Sequence, residues 1–323
     1  MLIKEMSDRT EFTGFYLLKS ATLKSTADQR HYLDLVIADA TGEIPLKFWD
    51  ISEMDKETYF SGMIVKVQGT VSLYREKLQA KVVRMRAASD QDGYAISDFV
   101  KSAPVPPADL LAIIEHTISE FHHPKVKKIV NFCVGRVREQ LMSYPAGKSV
   151  HHAYYAGLAY HIVRMLEIAD FLCKQRPFLN QDLLKAGILL HDLCKVEEFE
   201  GGEQGIVTEY TVRGNLLGHI SIVNNWISEA AITYSIPTHD PVVTSLQHLV
   251  LSHHGKLEYG SPVLPQLPEA IALAQIDLMD SRLQAVEDAL MGNTEECITS
   301  LRAIEGGRVY RLTWDEEQEK VGG

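Results

Sequence analysis

Residues 186–195 read Ala186-Gly187-Ile188-Leu189-Leu190-His191-Asp192-Leu193-Cys194-Lys195, an apolar run that ends in a histidine and an aspartate. The run belongs to an amphipathic stretch over residues 181–194, which predicts a helix with one face in a core. A buried imidazole or carboxylate must be paired or bound to a metal, because leaving it unsatisfied costs roughly several kcal/mol. His191 and Asp192 therefore predict a polar centre inside a helical domain.

Four further helical stretches carry histidine or aspartate on their apolar faces. They contain His161, His219, the pair His253-His254, and Asp277 with Asp280 three residues later. Any one of them alone is typical of a hydrogen-bonded core residue, whereas five helices that each direct such a group inward predict a metal centre. Nitrogen and carboxylate ligands without a thiolate suit Mn²⁺, Fe²⁺ or Mg²⁺, with Zn²⁺ as an alternative. The set is large enough for two ions, which can activate a water and neutralise a phosphoryl oxygen.

The spacing of these residues resembles the H…HD…D signature of HD-domain phosphohydrolases. His161, His191-Asp192 and Asp277 correspond to the side chains that bind the metal in that superfamily. The resemblance implies that His219 and His253 or His254 supply the extra ligands of a two-metal member, and the apolar stripe favours His253. It also implies that Lys195 lies near the scissile phosphate. Cys194 stands where the superfamily usually has glycine, a change that a helical backbone tolerates.

Three longer segments extend this resemblance to the YhaM-type 3′→5′ exoribonucleases of bacteria, over about residues 10–312. They are His151-His152-Ala153-Tyr154-Tyr155-Ala156-Gly157-Leu158, Gly214-Asn215-Leu216-Leu217-Gly218-His219-Ile220 and Leu251-Ser252-His253-His254-Gly255-Lys256-Leu257-Glu258-Tyr259-Gly260-Ser261-Pro262. The resemblance implies a Mn²⁺-favouring exonuclease that shortens RNA, and also single-stranded DNA, from the 3′ end and releases nucleoside 5′-monophosphates. It implies that Asp192 bridges two ions, and that Lys195 and His254 stabilise charge on the phosphoryl oxygens.

The first 88 residues have the period of β-strands. Apolar side chains recur with a period of two in four short stretches, namely Leu33–Ile37, Ile44–Phe48, Met63–Val67 and Leu78–Val82, and Phe12–Leu18 in front of them makes a fifth strand. Five short strands in about 90 residues fit a small closed barrel, and the OB-fold is the commonest such barrel that binds nucleic acids. The predicted fold is therefore multidomain α+β, with a five-stranded OB-like β-barrel followed by an all-α HD domain.

The barrel segment is more basic than the rest of the chain. Of the 32 Lys/Arg and 43 Asp/Glu that make the net charge −11, residues 1–88 hold 13 and 12, which leaves 19 and 31 for the remainder. Single strands bind to mixtures of cations and stacking aromatics. The predicted substrate contacts in the barrel are Tyr74, Arg75, Lys77 and Arg84, with Tyr74 in a hairpin loop as the favoured stacking residue. Phe48 and Trp49 offer similar chemistry but fit a barrel core equally well.

Four residues of the helical segment are predicted to contact the phosphates of the substrate. They are His151, His152, Arg213 and Lys256. Each also fits a solvated or capping position, which is the usual role of a single exposed polar side chain.

The predicted organisation is an OB-fold-like domain over residues 1–88, a linker over 89–108, a helical HD domain over 109–312 and an acidic tail over 313–323. No apolar run approaches the roughly 18 to 20 residues of a membrane span, and the N-terminus lacks a signal-peptide pattern. The 4 cysteines are scattered without a C-x-x-C pair. These features predict a cytoplasmic protein with reduced thiols, and the acidic catalytic segment favours a homo-oligomer that concentrates the basic surface.

Two other functions fit the same residues. An HD-domain nucleotidase or cyclic-nucleotide phosphodiesterase would act on a small nucleotide and would not need residues 1–88. A non-catalytic nucleic-acid-binding regulator would share the fold, but the complete set of ligands together with Lys195 speaks against it.

Overall fold

The N-terminal strands close into a barrel in this computed structural model, which describes residues 1–26, 28–75, 77–94, 98–147, 154–201, 205, 207, 209–291, 296–299, 301 and 303–312. The strands are β1 (Glu11–Ser25), β2 (His31–Asp39), β3 (Gly42–Phe48), β4 (Ile64–Tyr74) and β5 (Lys77–Ala87). Their order around the barrel is β1-β2-β3-β5-β4, with β3 and β5 parallel and the other pairs antiparallel. A short helix, α1 (Glu53–Thr58), joins β3 to β4. This Greek-key closure confirms the predicted OB-like barrel.

Alternation of side chains explains why these strands curl around one core. Leu35, Leu46, Val65 and Val67 point inward and are fully buried. β1 extends beyond its predicted end at Leu18, because its first half pairs with β4 and its second half with β2. The barrel is therefore held together by a strand whose exposed, polar end carries little apolar signal in the sequence.

The rest of the chain is mainly helical, as predicted. The helices are α2 (Pro107–Ser119), α3 (Pro124–Gly135), α4 (Gly157–Gln175), α5 (Gln181–Leu190), α6 (Lys195–Glu198), α7 (Val212–Thr233), α8 (Pro241–Ser252) and α9 (Pro268–Met291). They share one apolar core, in which the second half of α5 is buried on every side. Because α5 lies among α3, α4, α8 and α9, the residues that follow it enter the middle of the domain.

Two features near the C-terminus depart from an all-helical domain. Cys297–Thr299 (β6) and Arg308–Tyr310 (β7) pair as a small antiparallel sheet. Strands of three residues are too short for their periodicity to be recognised in the sequence. The predicted acidic tail, residues 313–323, lies outside the described residues.

The described part of the predicted linker packs against both neighbouring segments. Phe99 and Val100 are buried with Leu17 of β1. The N–H of Tyr155 donates to the carbonyl of Lys101 at 3.0 Å, and the N–H of Ala103 donates to the carbonyl of Tyr155 at 3.0 Å. The described part of this connection is therefore fixed by packing and hydrogen bonds. The boundaries of the domains stay a prediction.

Among the described residues, no helix combines the length and the apolar character that a membrane crossing requires.

Candidate metal centre

The predicted ligands come together at the ends or within the turns of five helices. His161 lies in α4, His191 and Asp192 follow α5, His219 lies in α7, His253 and His254 follow α8, and Asp277 lies in α9. α7 is broken at Gly218, whose φ of 68° favours glycine, and His219 comes immediately after this break. His161, His191, Asp192 and His253 are at most 3% exposed.

The two carboxylate oxygens of Asp192 face two different sets of imidazoles. Oδ2 lies 3.5 Å from Nε2 of His191 and 3.9 Å from Nε2 of His161. Oδ1 lies 3.4 Å from Nε2 of His219 and 3.7 Å from Nε2 of His253. Asp192 thus contacts both sets, with a different carboxylate oxygen on each side.

Each set brings enough donor atoms together for one ion. In the first, donor atoms of His161, His191 and Asp192 lie within 4.8 Å of one another, and Oδ1 of Asp277 lies 3.4 Å from Nε2 of His161. In the second, donor atoms of His219, His253 and His254 lie within 4.8 Å of one another. The second set contains both members of the His253-His254 pair.

Every imidazole of the centre is held through its Nδ1 atom. The partners are Asp280 for His161 (2.7 Å), the Ile188 carbonyl for His191 (2.8 Å), Glu198 for His219 (2.7 Å), the Val250 carbonyl for His253 (2.8 Å) and the Tyr259 carbonyl for His254 (2.8 Å). A carbonyl accepts, so Nδ1 carries the proton and Nε2 is left to bind a cation. Such outer bonds orient the ring and raise its basicity as a ligand.

Unpaired polar atoms test whether these residues fit a metal. Within the described part of the chain, Oδ1 of Asp192, Nε2 of His219 and Nε2 of His253 are buried without a hydrogen-bond partner. Leaving them so costs free energy that a cation at the same point would recover. The donor set of imidazole nitrogens and carboxylate oxygens therefore fits a divalent ion.

The pKa shifts of most of these groups favour the protonation state that binds a cation. Burial lowers the pKa of His191, His253 and His254, so these rings are neutral and able to ligate. Burial opposes the ionisation of Asp192, but Lys195 together with the imidazoles around the carboxylate outweighs burial and holds the pKa of that carboxyl well below its usual value. Burial also lowers the pKa of His161, but its bonds to Asp277 and Asp280 prevail and raise that pKa to about 9. An ion bound at His161 therefore competes with a proton.

Lys195 sits directly beside the bridging carboxylate. Its Nζ lies 2.6 Å from Oδ2 of Asp192, and its side chain is 12% exposed. Cys194 has φ −82° and ψ 8°, a conformation that needs no glycine, which explains why a cysteine is accepted there. The lysine is thus held at the edge of the candidate metal centre by its pairing with Asp192.

The barrel residues predicted to contact substrate divide into two places. Tyr74, Arg75 and Lys77 form the turn between β4 and β5, where Tyr74 is 59% exposed and the Arg75 guanidinium lies 5.4 Å from its ring. Arg84 lies seven residues along β5 from Lys77, about 23 Å away at the usual strand rise. The structure therefore brings the first three together and leaves Arg84 apart.

The predicted phosphate contacts of the helical domain have mixed surroundings. Arg213 is paired with Glu197. Lys256 is exposed, and its Nζ lies 5.1 Å from the ring centre of Tyr259, next to the turn that holds His254. His151 and His152 lie outside the described residues.

Two carboxylates that support the centre were not among the predicted site residues. Asp280 shares a helix face with Asp277, which is a signal that periodicity provides. Glu198, 21 residues earlier in the chain, contacts Nδ1 of His219 from the short helix α6. No local sequence pattern predicts that contact.

Asp280→Ala is expected to weaken Mn²⁺ binding about 10- to 100-fold, because His161 would lose the bond that orients its ring. Asp280→Asn should have a smaller effect, since its amide oxygen still accepts from Nδ1. Titration calorimetry with Mn²⁺ measures both affinities. Asp288→Ala, on the same helix but paired with Lys101, serves as the matched control. Equal affinities for Asp280→Ala and the control would contradict the role assigned to Asp280.

Gly214→Ala is expected to disturb the second set of ligands from a distance. A Cβ at Gly214 would lie 2.4 Å from the carbonyl oxygen of Glu198, so α6 and the start of α7 must separate. We expect a loss of about 1–3 kcal/mol in the free energy of unfolding, measured by denaturant titration, and a lower Mn²⁺ content. Gly135→Ala meets nothing within 4 Å in α3 and should be neutral or stabilising. An unchanged stability of Gly214→Ala would refute this close packing.

Comparison with known proteins agrees with this geometry. Residues 158–282 match the HD domain family, which implies a divalent metal. The 3′-5′ exoribonuclease YhaM of Bacillus subtilis is 40% identical over 90% of this chain and 90% of its own length. The protein of the same name from Shouchella clausii is 42% identical over 86% of this chain and 85% of its own length. The one from Bacillus velezensis is 39% identical over 98% of this chain and 99% of its own length.

Among solved structures, the barrel is similar to a domain of replication protein A from Methanococcus maripaludis, with 22% identity, coverage of 27% of this chain and 92% of that chain, and a TM-score of 0.24. The curated relatives cover the barrel and the helical domain together at about 40% identity. With an HD metal centre in the helical part and relatives along nearly its whole length, the chain belongs to the YhaM 3′-5′ exoribonuclease family.

Proposed function

We propose that this chain is a metal-dependent 3′→5′ exoribonuclease that hydrolyses single-stranded RNA to nucleoside 5′-monophosphates. The observation that carries the proposal is Asp192, whose two oxygens face two separate sets of imidazoles. The curated relatives are named for 3′-5′ exoribonuclease activity, and this arrangement suits phosphodiester hydrolysis.

His161, His191, Asp192 and Asp277 would hold one ion, and Asp192 with His219, His253 and His254 would hold the other. Divalent ions bound there supply Lewis-acid activation of water and neutralise charge on the phosphoryl group. Asp192 and Lys195 act as the catalytic side chains of the protein. The carboxylate orients the ligands on both sides, and the Lys195 ammonium stabilises negative charge that develops on a non-bridging phosphoryl oxygen.

Substrate contacts are proposed in both the barrel and the helical domain. Tyr74, Arg75 and Lys77 present a ring and two cations at one turn of the barrel, a mixture that suits a single strand. Lys256 lies on the turn attached to His254 and is proposed to contact a phosphate close to the scissile one. Arg213 is a weaker candidate, because its 2.5 Å pair with Glu197 is closer than the 4.0 Å between Lys256 and Glu258. Arg84, His151 and His152 stay predictions.

The identity of the ions and the wider properties of the chain are part of the same proposal. Two ions with Mn²⁺ preferred, activity on single-stranded DNA, a homo-oligomeric state and a cytoplasmic location are predictions. So are the domain boundaries at residues 88 and 108.

The test is a time course on single-stranded RNA labelled at its 5′ end, with Mn²⁺ or with a chelator. We expect a ladder that shortens from the 3′ end only when Mn²⁺ is present, with nucleoside 5′-monophosphates as the released product. RNA that stays intact with Mn²⁺, Mg²⁺ and Zn²⁺ would contradict the proposal and favour a small nucleotide as the substrate. Internal cleavage without a 3′ ladder would contradict the polarity.

A further inference from the structure

The second half of α9 carries an apolar stripe on its exposed side. The members of the stripe follow one another at intervals of four, three and four residues, and they are Met279, Leu283, Val286 and Leu290. Leu283 is 59% exposed, and the other three are exposed or partly exposed. Gln284 and Ala285, on the opposite side of the helix, are buried. A helix surface that faces solvent usually carries polar residues, so this side of α9 has the composition of a contact surface.

The stripe leaves the core of the domain part-way along the helix. Ile276, three residues before its first member, is buried and belongs to that core. At the other end the apolar surface continues into Tyr310 and Leu312, which are both exposed. Arg311, between them, donates to the carbonyl of Leu290, and so places these two residues beside the end of α9. Single exposed apolar residues are ordinary, whereas a patch built from several of them marks an interaction site.

One charge of each sign lies beside the stripe. Arg282 immediately precedes Leu283, and Glu287 immediately follows Val286. Within the described part of the chain, neither charge forms an ion pair. In a heptad the stripe occupies the a and d positions, which makes Arg282 a g residue and Glu287 the e residue of the following heptad. In a parallel pair of helices, such a g residue faces the e residue that lies five positions later in the other helix.

We propose that two copies of this chain associate through this stripe, with their α9 helices side by side and parallel about a two-fold axis. Arg282 of each copy then meets Glu287 of the other, and the same patch serves both copies, as a two-fold interface requires. An antiparallel pair would set g residues against g residues and e residues against e residues, which leaves both charges without an opposite partner. The proposal rests on the homo-oligomeric state proposed above and is independent of the hydrolytic activity.

The short length of the stripe is compatible with this pairing. An isolated helix of this length is marginal in water, but α9 is already folded against its domain, so association does not have to offset the cost of forming it. A groove of about 690 Å³ also lies along the stripe and offers room for side chains of the second copy. Asp280, which holds His161, lines the same groove. The pairing would therefore cover the outer side of this support of the metal centre.

The mass of the full chain in solution tests the proposal. Sedimentation of the wild type should give at least twice the 36.2 kDa of one chain. Leu283→Glu should weaken the association about 100-fold or more, because it buries two facing carboxylates in the interface. Phe171→Glu, at an equally exposed apolar position on α4, is the matched control and should keep the wild-type mass. Circular dichroism checks that both variants are folded.

Charge reversal tests the parallel arrangement. Arg282→Glu and Glu287→Arg should each weaken self-association about tenfold, because each variant sets like charges against each other. An equal mixture of the two should instead form mixed dimers, in which both contacts join opposite charges. Native mass spectrometry distinguishes the mixed dimer from the two homodimers.

Cross-linking provides a second readout of the same geometry. Residues of the same number face each other in a parallel two-fold pair, so Leu283→Cys and Leu290→Cys should each form a disulfide between copies under mild oxidation. An antiparallel pair can align at most one of these positions with itself. The wild type, which has cysteines of its own, is oxidised alongside as the control.

Three results would overturn the proposal. A wild type that stays at the mass of one chain at every protein concentration would contradict the homo-oligomeric state and this interface together. An assembly whose mass Leu283→Glu leaves unchanged would contradict this interface alone. Charge variants that form no mixed dimers would contradict the parallel arrangement. Hydrolysis enters none of these measurements, so a failure of the exoribonuclease function would be seen separately.

Discussion

Replacing Asp192 with asparagine or alanine is expected to abolish RNA hydrolysis and to empty both sides of the metal centre. The two carboxylate oxygens of Asp192 face the two sets of imidazoles. Its loss removes several kcal/mol of transition-state stabilisation, which corresponds to a rate at least about a thousandfold lower. Initial rates on labelled RNA and the Mn²⁺ content of the dialysed protein measure the two effects.

The choice of variant matters because Asp192 also neutralises Lys195. Asp192→Ala leaves a buried ammonium unpaired, which costs about 3–5 kcal/mol of stability in typical cases. Asp192→Asn keeps the shape of the side chain, so thermal unfolding should separate a misfolded variant from an inactive one. Asp170→Asn, which lies on the surface beside Lys185, is the control. Retention of more than a tenth of the wild-type rate by folded Asp192→Asn would rule out the bridging role.

Replacing His253 with alanine is expected to remove one ion and leave the other. His253 belongs to the set with His219 and His254, and its Nε2 is buried without a partner among the described residues. Binding stoichiometry should fall from two Mn²⁺ per chain to one, and hydrolysis by about 100-fold or more, because a single ion cannot neutralise both sides of the reacting phosphoryl group. Titration calorimetry gives the stoichiometry, and paramagnetic resonance detects the loss of coupling between two Mn²⁺ ions.

His248→Ala provides the matched control for this variant. His248 lies on the same helix, α8, and its Nε2 accepts from the N–H of Gln266 at 2.9 Å, away from the centre. It should keep two ions and a normal rate. A wild-type chain that binds one ion, or a His253→Ala chain that still binds two, would refute the division of the histidines into two sets.

Much of the fold is determined by local patterns of side chains. A period of two in residues 33–37 and 44–48 is enough to predict strands, because successive side chains of a strand point to opposite faces. The apolar stripes around His161 and His253 are enough to predict helices, since residues three and four apart share a face of a helix. These patterns also identify which side chains are buried and polar, and so which residues can bind a metal.

The pairing of elements is determined by packing over long distances in the sequence. β1 divides its length between β4 and β2. At the other side of β2, the ring of Trp49 stacks on that of Tyr32 with centroids 4.3 Å apart. The periodicity of the sequence does not predict which of Phe48 and Trp49 points outward, because the two residues are adjacent and both are aromatic. The outward direction of Trp49 depends on the register between β2 and β3.

The sequence by itself determined the types of most elements and the candidate ligand residues of the metal centre. Only the tertiary structure decided how those ligands are shared: that Asp192 faces both sets, that His253 and His254 belong to the same set, and that Glu198 and Asp280 hold His219 and His161. The reason is geometric. An apolar stripe shows which face of one helix a side chain lies on, and therefore that the side chain is buried. A metal site requires atoms from five helices to meet within a few ångströms, and that depends on how all of those helices pack together.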